Sequence, residues 1–534
     1  MSIIFSAGCF SSGKSATENQ RKRKKCQCTN TISDWQQRDM GKQPAFGGSI
    51  SMRIESEPGT LLSMYTAHPA VAQIIDHDVL EALVNLDSKT GNPIPELATY
   101  WETDLKQTSY TFYLAESARW HDGQPFTADD VVFTFKHMLD PAGGALGRAR
   151  FEDVANVEVL TRYSVLFELD NPRSDFLADV SRVMILPEHL LKNTTIVSNE
   201  FVRAPVGTGP FVFSDWQPGQ HIEITRSSDW RGQPPYLDRI TYTIIPERRV
   251  ALELFASGNL DIVTNARDAT HPNAVTVDFP EDQLNTWVFN TRTPYFSDAK
   301  TRRAVSRLID RNAIACAIMN CLARPASSPW PEIAQPQETL SFSPKDARML
   351  LQEAGWRDSD RNGILDRGGM PFRFNLLLPD TDLAGTRAVA LIMHDLRKAG
   401  IDARPTTVSW AVYTDRLRKQ RFDASIVAIS TAPPFNAAEL FHSDGIGSGR
   451  NFGDFRDRRI DSMFDRLTLE QAPEARRRIR QKLAERLVLL QPMVFIFFGY
   501  QRSLVRHNIF GVETSVSGIE ERFLWLASDG GTTP

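Results

Sequence analysis

His121 and Asp122 are adjacent residues whose side chains could carry out acid–base chemistry. An imidazole that a carboxylate orients is a common general base, provided that it reaches the proton it removes. The following Gly123 indicates a tight turn, and adjacent side chains on a tight turn rarely point at one substrate atom. The chain also lacks the G-x-S-x-G and H-E-x-x-H motifs of common hydrolases. We therefore predict a structural role for the pair and no enzymatic activity.

Two mutually exclusive motifs overlap near the N-terminus. The segment from Gly8 to Ser15 fits G-x-x-x-x-G-K-S, a loop whose backbone N–H groups and lysine hold nucleotide phosphates. The next thirty residues are polar and basic, unlike the strands and helices of a nucleotide domain. Residues 6–9, Ser-Ala-Gly-Cys, resemble instead a lipobox, in which the cysteine takes lipid after cleavage. We predict lipidation of Cys9, and a nucleotide-binding enzyme that uses the Gly8 to Ser15 loop stays as the alternative.

A run of oxygen-bearing side chains could bind calcium. Asp358, Asp360, Asn362 and Asp366 stand at spacings of an EF-hand loop, with Gly363 for the bend. The twelfth position holds a glycine in place of the bidentate glutamate. We therefore predict a surface turn and no metal site.

The composition is that of an ordinary soluble globular protein, with 41% hydrophobic and 24% charged residues over 534 positions. A formal net charge of −4 gives no positive field that would attract nucleic acid. No apolar run reaches the ~18–20 residues of a membrane span. Of the five cysteines, Cys316 and Cys321 could pair or stay buried, and both readings remain open. Residues 1–45 combine a basic run with many polar residues and cannot bury a core, so they are predicted to be a disordered leader.

The elements around His121 can be predicted from local patterns. Apolar residues alternate from Tyr110 to Leu114, which predicts a strand with one buried face. Thr127 and Asp130 form a capping box, and apolar residues then recur at helical spacing until Pro141. The stretch therefore predicts a strand, a turn and a capped helix.

The turn and the helix start carry a longer pattern. Residues 120–133 fit W-H-D-G-x-P-x-T-A-x-D-V-x-F. This pattern resembles the signature of the family 5 extracellular solute-binding proteins, which are the peptide- and nickel-binding subunits of ABC importers. The resemblance extends over roughly residues 47–527, with its segments in the family order.

Other segments support the resemblance and carry predictions of their own. Residues 57–61 resemble the family's E-P-x-x-L-D-P segment, although Leu62 stands where aspartate is usual. Residues 204–211, Ala-Pro-Val-Gly-Thr-Gly-Pro-Phe, resemble the family crossover, and we predict that their glycines let the strand turn. The arginines at 302, 303 and 307 are predicted to form a solvated helix face. Strands and helices alternate from 372 to 429, which favours a parallel or mixed sheet flanked by helices.

The resemblance implies an α/β fold: a periplasmic-binding-protein-like fold (type II, family 5 cluster) with two lobes, an extra small domain and mixed β-sheets. Residues 1–45 would be the leader, and lobe I would be discontinuous, at 46–80, 200–288 and 491–534. The extra domain would be inserted at 81–199, and lobe II would span 289–490.

The function implied is that of a monomeric substrate-binding subunit without a cofactor, in the periplasm or cell envelope. A small solute would be held between two lobes, and the permease subunits in the membrane would recognise the closed state.

The ligand class depends on one loop. Peptide-binding members pair the peptide's amino group with the aspartate of W-x-x-D-Y, because a buried ammonium needs a carboxylate. The matching stretch places Ile429 at the tryptophan and Ala432 at the aspartate. Free peptide amines are thus poorly provided for unless Glu57 or Asp444 substitutes, and a sugar, an opine or a metal chelate remains an alternative ligand. The predicted ligand-binding residues are Glu57, Ser430, Thr431, Ala432, Phe435 and Asn436.

Overall fold

The computed structural model describes most of the chain from residue 42 onward. The described ranges are 42–87, 91–173, 175–267, 269–319, 322–331, 333, 341–380, 383–431, 435–447, 450–470, 472–515 and 518–527. They divide into two compact units: the first contains the described residues of 31–279 and 501–534, and the second those of 280–500. The predicted division into two lobes and an inserted domain stays a prediction.

The strands, in chain order, are β1 (Ser49–Ile54), β2 (Val84–Leu86), β3 (Pro93–Pro95), β4 (Ala98–Thr103), β5 (Ser109–Leu114), β6 (Val154–Thr161), β7 (Ser164–Leu169), β8 (Phe211–Gln217), β9 (His221–Arg226), β10 (Arg239–Ile244), β11 (Ile262–Val263), β12 (Ala274–Phe289), β13 (Ala323–Pro325), β14 (Asp366–Arg367), β15 (Met370–Pro371), β16 (Arg373–Pro379), β17 (Asp402–Val408), β18 (Ala424–Ser430), β19 (Met493–Arg506), β20 (Ile509–Phe510), β21 (Glu513–Ser515), β22 (Gly518–Glu520) and β23 (Trp525–Leu526).

The α-helices are α1 (Pro69–Ile74), α2 (Ala128–Leu139), α3 (Phe176–Val180), α4 (Glu188–Leu191), α5 (Arg248–Ser257), α6 (Ala299–Arg307), α7 (Arg311–Met319), α8 (Pro344–Glu353), α9 (Leu383–Lys398), α10 (Trp410–Arg418), α11 (Ala438–Phe441), α12 (Arg458–Leu469) and α13 (Pro473–Leu490). Among the described residues, none of these helices combines the length and the apolar character needed to cross a bilayer.

Besides three two-stranded sheets, the described residues of the first unit contain two larger sheets. In one, β1 pairs in parallel with β10 and β11, and β10, β9 and β8 continue antiparallel. The other is antiparallel, in the order β4-β5-β7-β6, and its inner face packs against α2 through phenylalanine rings in edge-to-face contact. Predicted elements around His121 are confirmed: β5 ends at Leu114, and α2 begins after Thr127, whose N–H donates to Asp130 at 2.9 Å.

The second unit is built on a mixed sheet. Strands β17, β16 and β18 are parallel, and β12 runs antiparallel to β18. The predicted alternation of strands and helices from 372 to 429 is confirmed, with β16, α9, β17, α10 and β18 following in that order. The α/β fold with a mixed sheet therefore agrees with the sequence analysis.

The prediction for the arginines of α6 was wrong at Arg302. This side chain is only 4% exposed and donates hydrogen bonds to the carbonyls of Phe296, Ser297, Leu490 and Gln491. Two of these carbonyls lie at the C-terminal end of α13, where a cation is favourable. Arg302 thus joins two helices from within the core.

Candidate functional site

The residues of the W-H-D-G signature hold the first unit together. Trp120 is buried, and its indole N–H donates to Asp130 at 3.3 Å. The other oxygen of Asp130 accepts from the backbone N–H of Glu188 at 2.9 Å, so one carboxylate joins the turn, α2 and α4. Burial raises the pKa of Asp130, and the hydrogen bonds that it accepts oppose this rise.

The His121 imidazole forms hydrogen bonds to the crossover at residues 204–211. Its Nδ1 accepts from the Gly207 N–H at 3.2 Å, so Nε2 carries the proton and donates to the Gly209 carbonyl at 3.0 Å. Burial lowers the pKa of His121, which keeps the ring neutral and able to fill both roles. Asp122 bonds instead to the imidazole of His189 at 2.7 Å. His121 and Asp122 therefore serve different contacts, as the structural reading predicts.

The two glycines of this crossover are needed for a reason other than the predicted one. Neither has a positive φ, so they do not provide a turn that other residues avoid. A Cβ at Gly207 would lie 1.7 Å from the Val79 carbonyl oxygen, and one at Gly209 would lie 2.3 Å from that of Asp78. The backbones touch here because the Gly209 N–H donates to Val79 and the Phe211 N–H donates to Asp78. The requirement is close approach of two backbones.

A candidate binding edge in the first unit lies where its parallel strands end. In open α/β sheets, ligands bind beyond the carboxyl ends of the parallel strands. The buried guanidinium of Arg53 joins these ends in the first unit, with donors on the Ile245, Pro246 and Thr264 carbonyls. Glu55 follows β1, is 48% exposed and accepts from the Asn265 amide at 2.7 Å. Glu55 is therefore a carboxylate that the sequence analysis did not select.

Glu57, which the sequence analysis did select, is held within the first unit. Its two oxygens accept from the Trp216 indole N–H at 2.9 Å and from the Gly219 N–H at 3.1 Å. The Glu57 side chain stays exposed. The Arg203 guanidinium lies over the Trp216 ring, 3.9 Å from the ring centre. The Glu57 carboxylate already has two donors of its own.

The corresponding edge of the second unit has Ser430 at the end of one strand and Trp410 just after another. Ser430 is the last residue of β18 and pairs with Gln283 of β12, and Thr431 follows it. At the end of the neighbouring parallel strands, the Asp380 N–H donates to the Val408 carbonyl at 2.9 Å. Trp410 begins α10 directly after β17 and is 57% exposed. These residues share the edge at which ligands are expected.

The exposed Trp410 ring packs on an anchored tyrosine. Its ring stacks on Tyr413 at a centroid distance of 5.5 Å, and the Tyr413 hydroxyl donates to the Ile426 carbonyl at 2.7 Å. A large exposed aromatic ring on an anchored base loses little conformational freedom on binding. The sequence analysis did not select it.

Comparison with known proteins agrees with this architecture. The model of the family described as "Bacterial extracellular solute-binding proteins, family 5 Middle" matches residues 92–448. The chain belongs to this family. The oligopeptide-binding protein AppA of Bacillus subtilis is 26% identical over 510 residues, which cover 91% of this chain and 92% of AppA. A putative ABC transporter peptide-binding protein of Brucella ovis is 30% identical over 358 residues, 64% of this chain and 65% of that protein.

Solved structures of other solute-binding proteins have the same fold. HbpA2 from Haemophilus parasuis matches with a TM-score of 0.78 at 20% identity, over 90% of this chain and all of HbpA2. The structure of AppA from Bacillus subtilis in complex with a nonapeptide matches with a TM-score of 0.66 at 24% identity, over 91% of this chain and all of AppA.

Of the remaining predicted ligand residues of this family 5 protein, two lie within the described residues and one lies outside them. The Asn436 side-chain oxygen accepts from the Ala438 N–H at 3.0 Å and so begins α11, and Phe435 packs partly against the core of the second unit. Ala432 and Cys9 lie outside the described residues, as does the segment from Gly8 to Ser15. The ligand-binding assignments stay predictions.

In two other regions of the second unit, carboxylates form hydrogen bonds or ion pairs with residues of the same region. Asp358 and Asp360 accept hydrogen bonds from the backbone of Asn362 at 3.0 and 3.2 Å, so they shape their own loop. A cavity of about 480 Å³ lies beside Thr291, beyond the amino end of β18 and thus away from the binding edge. There Asp454 pairs with Arg292 and Arg456.

Proposed function

We propose that this family 5 protein captures a small peptide-like solute and delivers it to the permease subunits of an ABC importer. The observation that carries the proposal is the family match over residues 92–448. Relatives described as oligopeptide-binding and peptide-binding support a peptide-like ligand. The expectation that both lobes hold the solute stays a prediction.

The binding groups that we propose stand at the carboxyl ends of parallel strands. In the second unit they are Ser430, Thr431 and Trp410, which offer hydroxyl groups and an aromatic surface. In the first unit Glu55 is the exposed carboxylate at the strand ends. Phe435, Asn436 and Glu57 stay in the predicted set, although Glu57 and Asn436 already accept hydrogen bonds from their own unit.

We further propose that peptides with a free amino terminus bind weakly. Ala432 stands where peptide-binding members supply an aspartate, and an unpaired buried ammonium costs about 3–5 kcal/mol, at least a hundredfold in affinity. Replacing Ala432→Asp should then raise the affinity for di- to pentapeptides in calorimetry. Sub-micromolar peptide binding by the unmodified protein, lost when the peptide amine is acetylated, would show that another carboxylate, with Glu55 as the first candidate, takes this role.

The setting that we propose is the periplasm or cell envelope, with the protein a monomer anchored through lipid at Cys9. Cys316 is disulfide-bonded, and disulfides persist in oxidising compartments, which supports export. Metabolic labelling with a fatty-acid analogue, compared between the natural protein and Cys9→Ser, tests the anchor. Equal labelling of both would rule out Cys9 as the lipid site.

Native mass spectrometry of gently purified protein tests the function as a whole. We expect a retained small molecule whose mass identifies the ligand class, and no turnover of it by the protein. Trp410→Ala should reduce the retained fraction, whereas Val412→Ala, an exposed change on the same helix, should leave it unchanged. Hydrolysis of the retained solute would contradict the proposal, and nucleotide retention that is lost without residues 1–45 would favour the phosphate-loop alternative.

A further inference from the structure

Among the described residues, the outer face of the four-stranded sheet in the first unit is exposed or partly exposed along its strands. Along β5 and β7, residues Tyr110, Phe112, Val165 and Phe167 are buried on the inner face. The residues between them point the other way, since side chains alternate along a strand. We call this outer side the acidic sheet face, and its principal residues are Tyr100, Glu102, Tyr113, Glu158, Leu166 and Glu168. All six are exposed or partly exposed.

A flat aromatic pair occupies one end of the acidic sheet face. Tyr100 of β4 lies opposite Tyr113 of β5, and their rings stack at 4.2 Å with an interplanar angle of 11°. The Tyr113 hydroxyl donates to Glu102 at 3.1 Å, which places a carboxylate beside the rings. Tyr100 remains 51% exposed. An aromatic ring face next to a carboxylate is a surface that attracts ammonium and guanidinium groups.

The charges of this sheet are all of one sign. Strands β4, β5, β6 and β7 contain three glutamates and no lysine or arginine, and all three glutamates lie on the outer face. Glu158 lies opposite Leu166, and Glu168 accepts from the Asn156 amide at 3.2 Å. An anionic lipid surface or a nucleic acid would be repelled. A cationic partner with some apolar character fits.

We propose that the acidic sheet face binds a lysine- or arginine-rich segment of another polypeptide. Cationic side chains would stack on Tyr100 and pair with Glu102, Glu158 and Glu168, and apolar parts of the segment would cover Leu166. This interaction is separate from solute capture and does not depend on it.

Fluorescence anisotropy with labelled octalysine, acetylated and amidated at its ends, tests the proposal on the full-length protein. We expect binding that weakens from 20 to 150 mM salt. The triple change Glu102→Gln, Glu158→Gln and Glu168→Gln should weaken it about tenfold. The control triple Asp129→Asn, Glu200→Gln and Asp229→Asn removes the same charge from exposed acids of the same unit and should change affinity less than about threefold.

Tyr100 supplies an independent arm of the test. Tyr100→Ala should weaken octalysine binding about two- to fivefold, whereas Tyr100→Phe, which keeps the ring, should not. The proposal would be overturned if the two triple variants weakened octalysine binding equally, or if Tyr100→Ala had no effect. Either result would mean that the net charge of the protein alone explains the binding. Sedimentation analysis could instead show a dimer that the triple change at Glu102, Glu158 and Glu168 dissociates. This result would also overturn the proposal, because a second copy of the chain would then occupy the acidic sheet face.

Discussion

The two units differ in the sign of the charge that they carry and bury. Residues 46–279 and 501–534 contain 36 acidic against 21 basic residues, whereas residues 280–500 contain 26 against 32. In the first unit Asp78, Glu81, Asp130, Asp179 and Glu521 are buried; in the described part of the second unit the only carboxyl group so buried is Asp395.

The carboxyl groups inside the first unit have different partners. Glu81 receives a two-pronged contact from Arg231 at 2.7 and 2.8 Å. Burial raises the pKa of Asp76 to about 6 and that of Asp78 to about 7. Burial opposes the charged form of His77, but Glu96 at 2.9 Å outweighs it and raises the His77 pKa to about 9. The environment within the first unit therefore favours the protonated forms of Asp76, His77 and Asp78.

The described part of the second unit buries the arginines Arg302 and Arg311. Burial lowers the pKa of Arg302 and of Arg311 to about 10, and backbone carbonyls hold both side chains. Arg486 contacts both oxygens of the partly buried Asp457, and these contacts lower the pKa of Asp457 although its burial opposes this. An overall charge of −4 therefore does not reveal that the first unit is acidic and the second is basic, and we expect the two units to respond differently to pH.

The largest expected effect is on the Glu81–Arg231 pair. Arg231→Met should lower the free energy of unfolding of the first unit by about 3–5 kcal/mol, because it leaves a buried carboxylate unpaired. Adding Glu81→Gln should restore part of the loss. Denaturant-dependent hydrogen exchange, followed separately in peptides of each unit, measures both. A loss below about 1 kcal/mol would mean that water replaces the guanidinium.

Arg302→Met should cost the second unit less, about 2 kcal/mol. The change removes charged hydrogen bonds to four carbonyls but leaves no buried charge behind. Arg303→Met on the same helix is the control and should stay within ~0.5 kcal/mol. The same exchange experiment compares the two variants. If Arg302→Met lowered the free energy of unfolding more than Arg231→Met, the expected difference between the two units would be wrong.

The pH response should differ between the units by a few degrees in melting temperature. An acid whose folded pKa is raised contributes stability below its unfolded pKa near 3.8 and loses it as pH rises towards the folded value. Asp76 and Asp78 should thus weaken the first unit between about pH 4 and 7, and His77 should do so from about 6.5 to 9. Asp78→Asn should flatten the lower part of this slope in hydrogen exchange corrected for intrinsic rates. A first unit that gains stability over this range would contradict the assignment.

The smallest effect is expected at Asp457. Asp457→Ala removes the N-cap of α12, where the carboxylate accepts from the Arg459 and Ile460 N–H groups, and should cost about 1 kcal/mol. Because the folded pKa is lowered, this contribution should be present at neutral pH and disappear on acidification below about pH 4. Circular dichroism melts at pH 7 and pH 3 compare the two conditions, and an equal loss at both would refute the role of the charge.

Local patterns predicted much of the fold. Alternation from Tyr110 to Leu114 and the Thr127 capping box depend on near neighbours in the sequence, and the structure has them as predicted. The burial of Arg302 depends on carbonyls 188 and 189 residues away, which no local pattern contains.

The candidate site was harder to predict for the same reason. Glu57 stands in a recognisable motif, yet its oxygens bind groups 159 and 162 residues away. Trp410 belongs to the binding edge only because β17 pairs in parallel with β16. A strand pattern in the sequence gives no information on which strand will lie beside it.

The signature residues are engaged in holding their own chain together: Trp120 with Asp130, and His121 with Gly207 and Gly209. Such a motif carries no information about the cargo. If strand-end residues hold the solute, as we propose, the ligand of such a protein can change through those residues while the motif stays intact.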